Sequence, residues 1–321
     1  MKKQHFIPLA LAATMLAACS TVSMTGRRQL NIVSEADILS ASLTEYQSYM
    51  QSATKSRDAA ATQVVTTVAQ RIAAAAEAYL TAVGQEADLQ NYAWEFNLVE
   101  DPQLNAFCMP GGKIVVYTGM LNLIGNGTDR DDELAAVIGH EVSHAIAKHG
   151  QERASQQMLA SMGSSVLSGV MSGASSQLQS AVATAYGLGT QYGALLPFSR
   201  KHELEADYMG SVLATLAGYD ADAAITLWQK MEAQSSGSQP TFLSTHPSST
   251  KRISELQKNN PQVKRDYAAA ALFPSSAAAA AKATTSTAAP ASSAKASATT
   301  AKSKKATTTA KKSSTGYRIG N

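Results

Sequence analysis

The 321-residue chain carries a formal charge of +3 and two cysteines. Eight Lys or Arg and no acid fall in residues 273–321, and taking these eight from +3 leaves the rest of the chain at −5. A mildly acidic body argues against a nucleic-acid binder, two cysteines argue against a disulfide scaffold, and the roughly 250 residues between the two ends are enough for one sizeable domain.

The first residues, MKKQHFIPLALAATMLAACS, pair a cationic start (Lys2, Lys3) with an apolar run from Phe6 to Ala18. That run is shorter than the about 20 residues a permanent span needs, and it reads as an export signal. Leu16, Ala17 and Ala18 before Cys19 resemble a bacterial lipobox, in which Cys19 takes the lipid and becomes the mature N-terminus. Ser20 after it resembles an outer-membrane address. With Cys19 lipidated, Cys108 has no internal partner, and its neighbours Phe107 and Met109 read as a buried, inert thiol. The division expected is a signal peptide at 1–18, a domain at 19–270 and a tail at 271–321.

Ser34 with Asp37 predicts a helix N-cap leading into EADILSASLTEYQSYMQSA. A second helix is expected through AATQVVTTVAQRIAAAAEAYLTAV, ending near Gly84. YAWEFNLVED alternates as a strand does, and NAFCMPGGKIVVYTGML reads as strand, turn, strand and short helix. The next helix is expected near Asp131, where acids favour an N-terminus. Residues 151–197 read as two loosely amphipathic helices, either core elements or a cover over a groove. SRKHELEADYMGSVLATLAG is a strong helix closed by Gly218, DADAAITLWQKMEAQ another, and STHPSSTKRISELQKNN a loop with a final short helix. Helix dominates, with one small sheet in the first half. The tail, built from Ala, Ser, Thr and Lys, cannot bury a core and reads as disordered. It is either a solvated linker or a contact for anionic envelope polymers.

AAVIGHEVSHAIAKHG, residues 135–150, carries the chemistry. At about 100° per residue His140 and His144 lie about 40° apart on a helix, so both imidazoles can reach one ion, with Glu141 beside them as a general base. A catalytic zinc needs a third protein ligand. Ala147 and Gly150 stand where a glycine and a third histidine would extend the motif, which excludes that version. His149 falls about 180° from His140 on a continuous helix and reads as a surface histidine. HELEAD supplies acids instead. Glu203 and Asp207 share a face, Glu203 to bind one zinc ion and Asp207 to accept a hydrogen bond from a ligand histidine. Glu205 falls about 160° away, suited to pairing with surface lysines.

HEVSHAIAKH with SRKHELEAD resembles the HtpX, Oma1 and CAAX-prenyl-protease family of zinc metallopeptidases. The lipobox, TGRRQLNIVSE, NAFCMPGGKIVVYTGML and THPSSTKRI resemble more narrowly its soluble bacterial lipoprotein branch, the LoiP-like and BepA-like periplasmic proteases. The resemblance covers roughly residues 19–260 and has no repeat module. It implies an α+β, mostly helical, zincin-like (gluzincin) domain with one small sheet. It also implies an endopeptidase at the outer membrane that hydrolyses misfolded or misassembled envelope proteins. The alternative is a chaperone or assembly factor that keeps the zinc for structure. His246 and Arg252, in THPSSTKR, are candidates for the donor that faces the oxyanion. KIVVY could be the sheet edge that receives a substrate strand, with Asn105 and Ala106 nearby, or an internal strand.

Overall fold

The computed structural model describes residues 19–164, 199–234, 242–243, 246 and 250–275. The chain enters through a hairpin of β1 (Cys19–Thr21) and β2 (Arg28–Leu30), paired antiparallel. Helix α1 (Glu35–Ser52) starts where Ser34 accepts a hydrogen bond from the Asp37 N–H, and α2 (Ala59–Ala82) is capped by Asp58 in the same way. After the single turn α3 (Glu86–Leu89) come β3 (Glu95–Val99), β4 (Ala106–Met109) and β5 (Lys113–Tyr117).

The three strands form one sheet in the order β3-β5-β4. β5 runs parallel to β3, with Glu95 opposite Lys113, and antiparallel to β4, with Ala106 opposite Val116. KIVVY is therefore the central strand, flanked on both sides, so of the two readings left open by the sequence the edge is excluded and the internal strand is the one found. Its apolar composition answers to a different constraint, the cover on its two faces. Ile114 and Val116 face one core with Ala106 and Cys108, whereas Val115 and Tyr117 face a second core with Phe107, Met109 and residues of α1. Covered faces on both sides require an unbroken apolar run. The β4–β5 turn uses Gly111 and Gly112 at φ 89° and 78°, and a side chain at Gly112 would stand 2.6 Å from the Trp94 ring. Cys108 is a buried free thiol, its pKa pushed well up by burial and by Glu141.

The remaining helices are α4 (Thr118–Ile124), α5 (Arg130–Ile146), α6 (His149–Ser164), α7 (Arg200–Leu216), α8 (Ala223–Gln234) and α9 (Thr250–Tyr267). Residues 151–164 of the two expected amphipathic helices belong to α6; the rest of that stretch lies outside the described residues. Among the described residues no helix is long and apolar enough to cross a membrane. The last helix is longer than expected because Pro261 sits inside it. The missing N–H removes one rung, while buried Asn260 next to it ties the helix to the Ala221 carbonyl at 2.9 Å. Beyond it the chain stays docked, with the Leu272 N–H on the Leu216 carbonyl and Arg71 over the Phe273 ring and on the Pro274 carbonyl. The rest of the tail, from residue 276, and the leader at 1–18 lie outside the described residues.

Helices α5 and α7 are buried on nearly every side. Two glycines lie in close contact where these helices cross. A Cβ on Gly210 would lie 2.9 Å from the His140 nitrogen, and one on Gly139 would lie 3.0 Å from the Gly210 carbonyl oxygen. Small residues at the crossing let the backbones come together, and this brings the polar turns of both helices face to face.

Candidate metal centre

On α5, His140 and His144 project from adjacent turns, their rings 4.7 Å apart and their Nε2 atoms 3.1 Å apart. From α7, Glu203 reaches the pair, with Oε2 3.5 Å from His140 Nε2 and Oε1 3.5 Å from His144 Nε2. His246 brings a fourth donor, its Nδ1 3.1 Å from Glu203 Oε1 and 3.3 Å from His140 Nε2. One donor atom from each of the four lies within 4.8 Å of the others, and all four residues are buried.

The donor set fits zinc. Tetrahedral bonds of about 2.0–2.2 Å hold neighbouring ligand atoms roughly 3.3–3.6 Å apart, and the contacts given above run from 3.1 to 3.5 Å. The acid side chain between the histidines adds a second indication. Glu141 is 3% exposed, and its Oε1 makes no hydrogen bond among the described residues, with His246 Nε2 at 3.6 Å. A buried carboxylate oxygen without a donor is costly, and it suits a group that meets its partner only during a reaction. Burial raises the pKa of Glu141, against the pull of His246 and His140.

The sequence placed Asp207 behind a ligand histidine, and the structure puts its Oδ1 3.0 Å from His140 Nδ1. Arg252 backs both acids. Its Nε and Nη2 grip the two Asp207 oxygens at 2.7 and 2.6 Å, Nη1 lies 2.7 Å from Glu203 Oε2, and the guanidinium stacks 3.5 Å over the Trp228 ring. Burial would raise the pKa of Glu203, but His246 and Arg252 outweigh it and hold it well below the usual range. Asp207 is lowered for a similar reason, Arg252 overcoming burial. Burial works against a charge on His140, yet hydrogen bonds donated to Asp207 and Glu203 lift it to about 9, while burial and the nearby His140 push His144 well below its ordinary value.

Two sequence expectations are corrected. His149 is not a surface residue. It is 0% exposed, with Nδ1 2.8 Å from His144 Nδ1 and Nε2 2.8 Å from Glu205 Oε2. The assumption of one continuous helix failed: α5 ends at Ile146, and Lys148 adopts a left-handed φ of 57° before α6 starts at His149. Glu205 pairs with no lysine among the described residues either. It is fully buried and bound to His149, Thr25 and Arg27. Sequence reasoning missed this inner group because Arg27 and Glu205 are 178 positions apart. The burial of Glu152 and Glu205, which calls for a cation between them, is a property of the fold and leaves no signal in the sequence.

Comparison with known proteins agrees with this geometry. The chain is 38% identical over 191 residues to the mitochondrial metalloendopeptidase OMA1 of Schizosaccharomyces pombe, covering 58% of this chain and 52% of that protein. It is 39% identical over 172 residues to its Arabidopsis thaliana counterpart, covering 54% and 33%. It is 30% identical over 208 residues to the beta-barrel assembly-enhancing protease of Yersinia pestis, covering 63% and 40%. The chain thus spans about half or less of the length of these relatives. The model of peptidase family M48 matches residues 67–260, three fifths of the sequence, and the chain belongs to that family.

Proposed function

We propose that the chain is a zinc-dependent endopeptidase of the bacterial envelope, anchored by lipid on Cys19 at the outer membrane and facing the periplasm. Its substrates would be misfolded or misassembled envelope proteins. The observation that carries the reading is the convergence of His140, His144 and Glu203 beside a Glu141 oxygen that makes no hydrogen bond among the described residues. The names of the relatives, metalloendopeptidase and assembly-enhancing protease, support it. The export signal and lipobox support the location.

His140, His144 and Glu203 would hold the zinc, which supplies Lewis acidity and brings the pKa of a water to about 7. Glu141 takes the proton of the attacking water and returns it to the leaving amine. Asp207 fixes the His140 tautomer by accepting from Nδ1, so that Nε2 keeps its lone pair for the ion. Arg252 places Nε, Nη1 and Nη2 on Glu203 and Asp207, and its task in this reading is to position those two acids. His246, with one ring nitrogen among the donors and the other toward Glu141, is the residue that must yield to substrate.

The second reading is a non-proteolytic assembly factor with a structural zinc. One observation favours it: with His246 the donors number four, as in closed sites. The deciding experiment is cleavage of casein by the zinc-loaded full chain, with a chelator and with Glu141→Gln. The expected result is that the chelator abolishes cleavage and the variant lowers it by about 10²–10⁴-fold while still binding one zinc per chain. Undiminished cleavage by the variant removes the mechanism, and no cleavage by the wild type favours the second reading.

A further inference from the structure

Behind His144 lies a chain of polar groups that the reaction does not touch. A ligand histidine leaves the ring nitrogen toward the metal bare and carries its proton on the other. His144 Nε2 faces the donor cluster, so its proton sits on Nδ1, 2.8 Å from His149 Nδ1. His149 accepts there and carries its own proton on Nε2, which donates to Glu205 Oε2 at 2.8 Å. The same Glu205 oxygen accepts from Arg27 Nε at 2.6 Å, and the other accepts from the Thr25 hydroxyl. Arg27 Nη1 and Nη2 continue to the two oxygens of Glu152 at 3.0 and 2.8 Å. Glu152 takes His202 Nε2 at 3.0 Å, and the His202 ring stacks on His149 at 4.4 Å. Every donor named in this series has an acceptor, and the directions of the two histidine bonds follow from the tautomer of His144.

Thr25 and Arg27 lie in the turn of the β1–β2 hairpin, six and eight residues after Cys19 and outside the family match at 67–260. The turn is braced by hydrogen bonds between Val22 N–H and the Arg27 carbonyl and between Gly26 N–H and the Val22 carbonyl, both 2.8 Å. We propose that this hairpin is the outermost wall of the metal centre, and that Arg27 and Thr25 are positioning residues that hold His144 in its metal-binding tautomer through Glu205 and His149. The inference rests on the metal-centre reading. Without Arg27, Glu205 and Glu152 are two buried acids that have lost the cation bridging them. The anchored end of the chain is thereby built into the site, and a fragment limited to the family match is missing part of it.

The test uses the full chain in vitro. Zinc affinity is measured by chelator competition, the visible spectrum is recorded with cobalt(II) in place of zinc, and far-UV circular dichroism reports the fold. Arg27→Ala is expected to stay folded, to bind zinc 10–100-fold more weakly, the usual cost of losing such a supporting partner, and to shift the cobalt(II) bands. Arg27→Lys is expected to fall between it and the wild type, since one ammonium cannot serve two carboxylates as the fork does. Arg28→Ala, the exposed neighbour, is expected to match the wild type. A folded Arg27→Ala with unchanged affinity and spectrum overturns the inference. If Arg27→Ala does not fold, Arg27→Lys and Thr25→Val decide, and wild-type affinity in both overturns it. If the wild type binds no zinc, or His140→Ala binds it equally well, the metal-centre reading itself fails.

Discussion

Arg252 holds Asp207 with both arms of its guanidinium, Nε to Oδ2 at 2.7 Å and Nη2 to Oδ1 at 2.6 Å, in a setting where both side chains are almost fully buried. The same arginine neutralises Glu203. Two acids forced next to one another beneath a pair of histidines repel unless a cation sits among them, and a flat, forked cation can serve both at once.

Removing that cation leaves buried charges unpaired. Arg252→Ala is therefore expected to cost about 3–5 kcal/mol of stability, the range for breaking one side of a buried ion pair, with a further loss from the vacated face of Trp228. Urea unfolding of the metal-free chain measures it. Arg252→Lys should recover part of the loss, because an ammonium restores charge without the fork. A change in the alanine variant below about 1 kcal/mol, the scale of an exposed pair, would show that the pairing is not what holds these acids.

The crossing of α5 and α7 predicts a second effect. A methyl at position 210 would meet the His140 backbone nitrogen at 2.9 Å, and backbone cannot swing aside as a side-chain tip does. Gly210→Ala is expected to push the helices apart and to destabilise the fold by about 1–3 kcal/mol, as overpacking does. Zinc affinity should fall with it, since Glu203 and the two histidines ride on opposite sides of that contact. Thermal unfolding together with chelator competition checks both; a stable variant that still loses zinc would separate the geometry of the crossing from its packing.

Much of this arrangement is legible in the sequence, for identifiable reasons. The helical spacing of His140 with His144 and of Glu203 with Asp207 is local, so periodicity alone places each pair on one face. The cap at Ser34 and the stop at Gly218 are local too. What periodicity does not show is where a helix breaks, and the turn at Ala147–Lys148 moved His149 from the expected surface into the interior. Nor does it show which strand is central, because a run such as KIVVY is apolar on both faces whichever place it takes in the sheet. The grip of Arg252 on Asp207 and of Arg27 on Glu205 spans 45 and 178 positions. Such pairings depend on the tertiary fold and leave no spacing to read.

Glu152 gives a pH dependence. Burial would raise its pKa, but hydrogen bonds from His202 and Arg27 outweigh this and bring it down to about 2. A carboxylate lowered in the folded state contributes stability that is complete above the unfolded value of about 4.3 and is lost as protons bind below it. The folded chain should therefore lose stability as pH falls from about 4.5 toward 2. Glu152→Gln should be less stable than the wild type at pH 7 and should show a shallower acid limb, the two curves converging near pH 2. Urea midpoints across this range test it, and parallel curves would mean that the carboxylate is not bound as described.

His246 makes the sharpest prediction about turnover. Its Nδ1 stands among the donor atoms, 3.3 Å from His140 Nε2 and 3.1 Å from Glu203 Oε1, and its ring is stacked 4.5 Å from Phe242. A catalytic zinc site keeps one position free of protein, and three of the four donors come from the two central helices. The fourth is the one whose removal opens the site. His246→Ala is thus expected to retain one zinc, through His140, His144 and Glu203, and to cleave casein faster than the wild type, while Glu141→Gln added to it should silence cleavage again. Had His246 served as a donor to the oxyanion, its loss would instead lower the rate, by about 10²–10³-fold for a single such donor. The direction of the change in cleavage rate, with zinc content measured alongside, decides between a residue that closes the site and one that assists the chemistry.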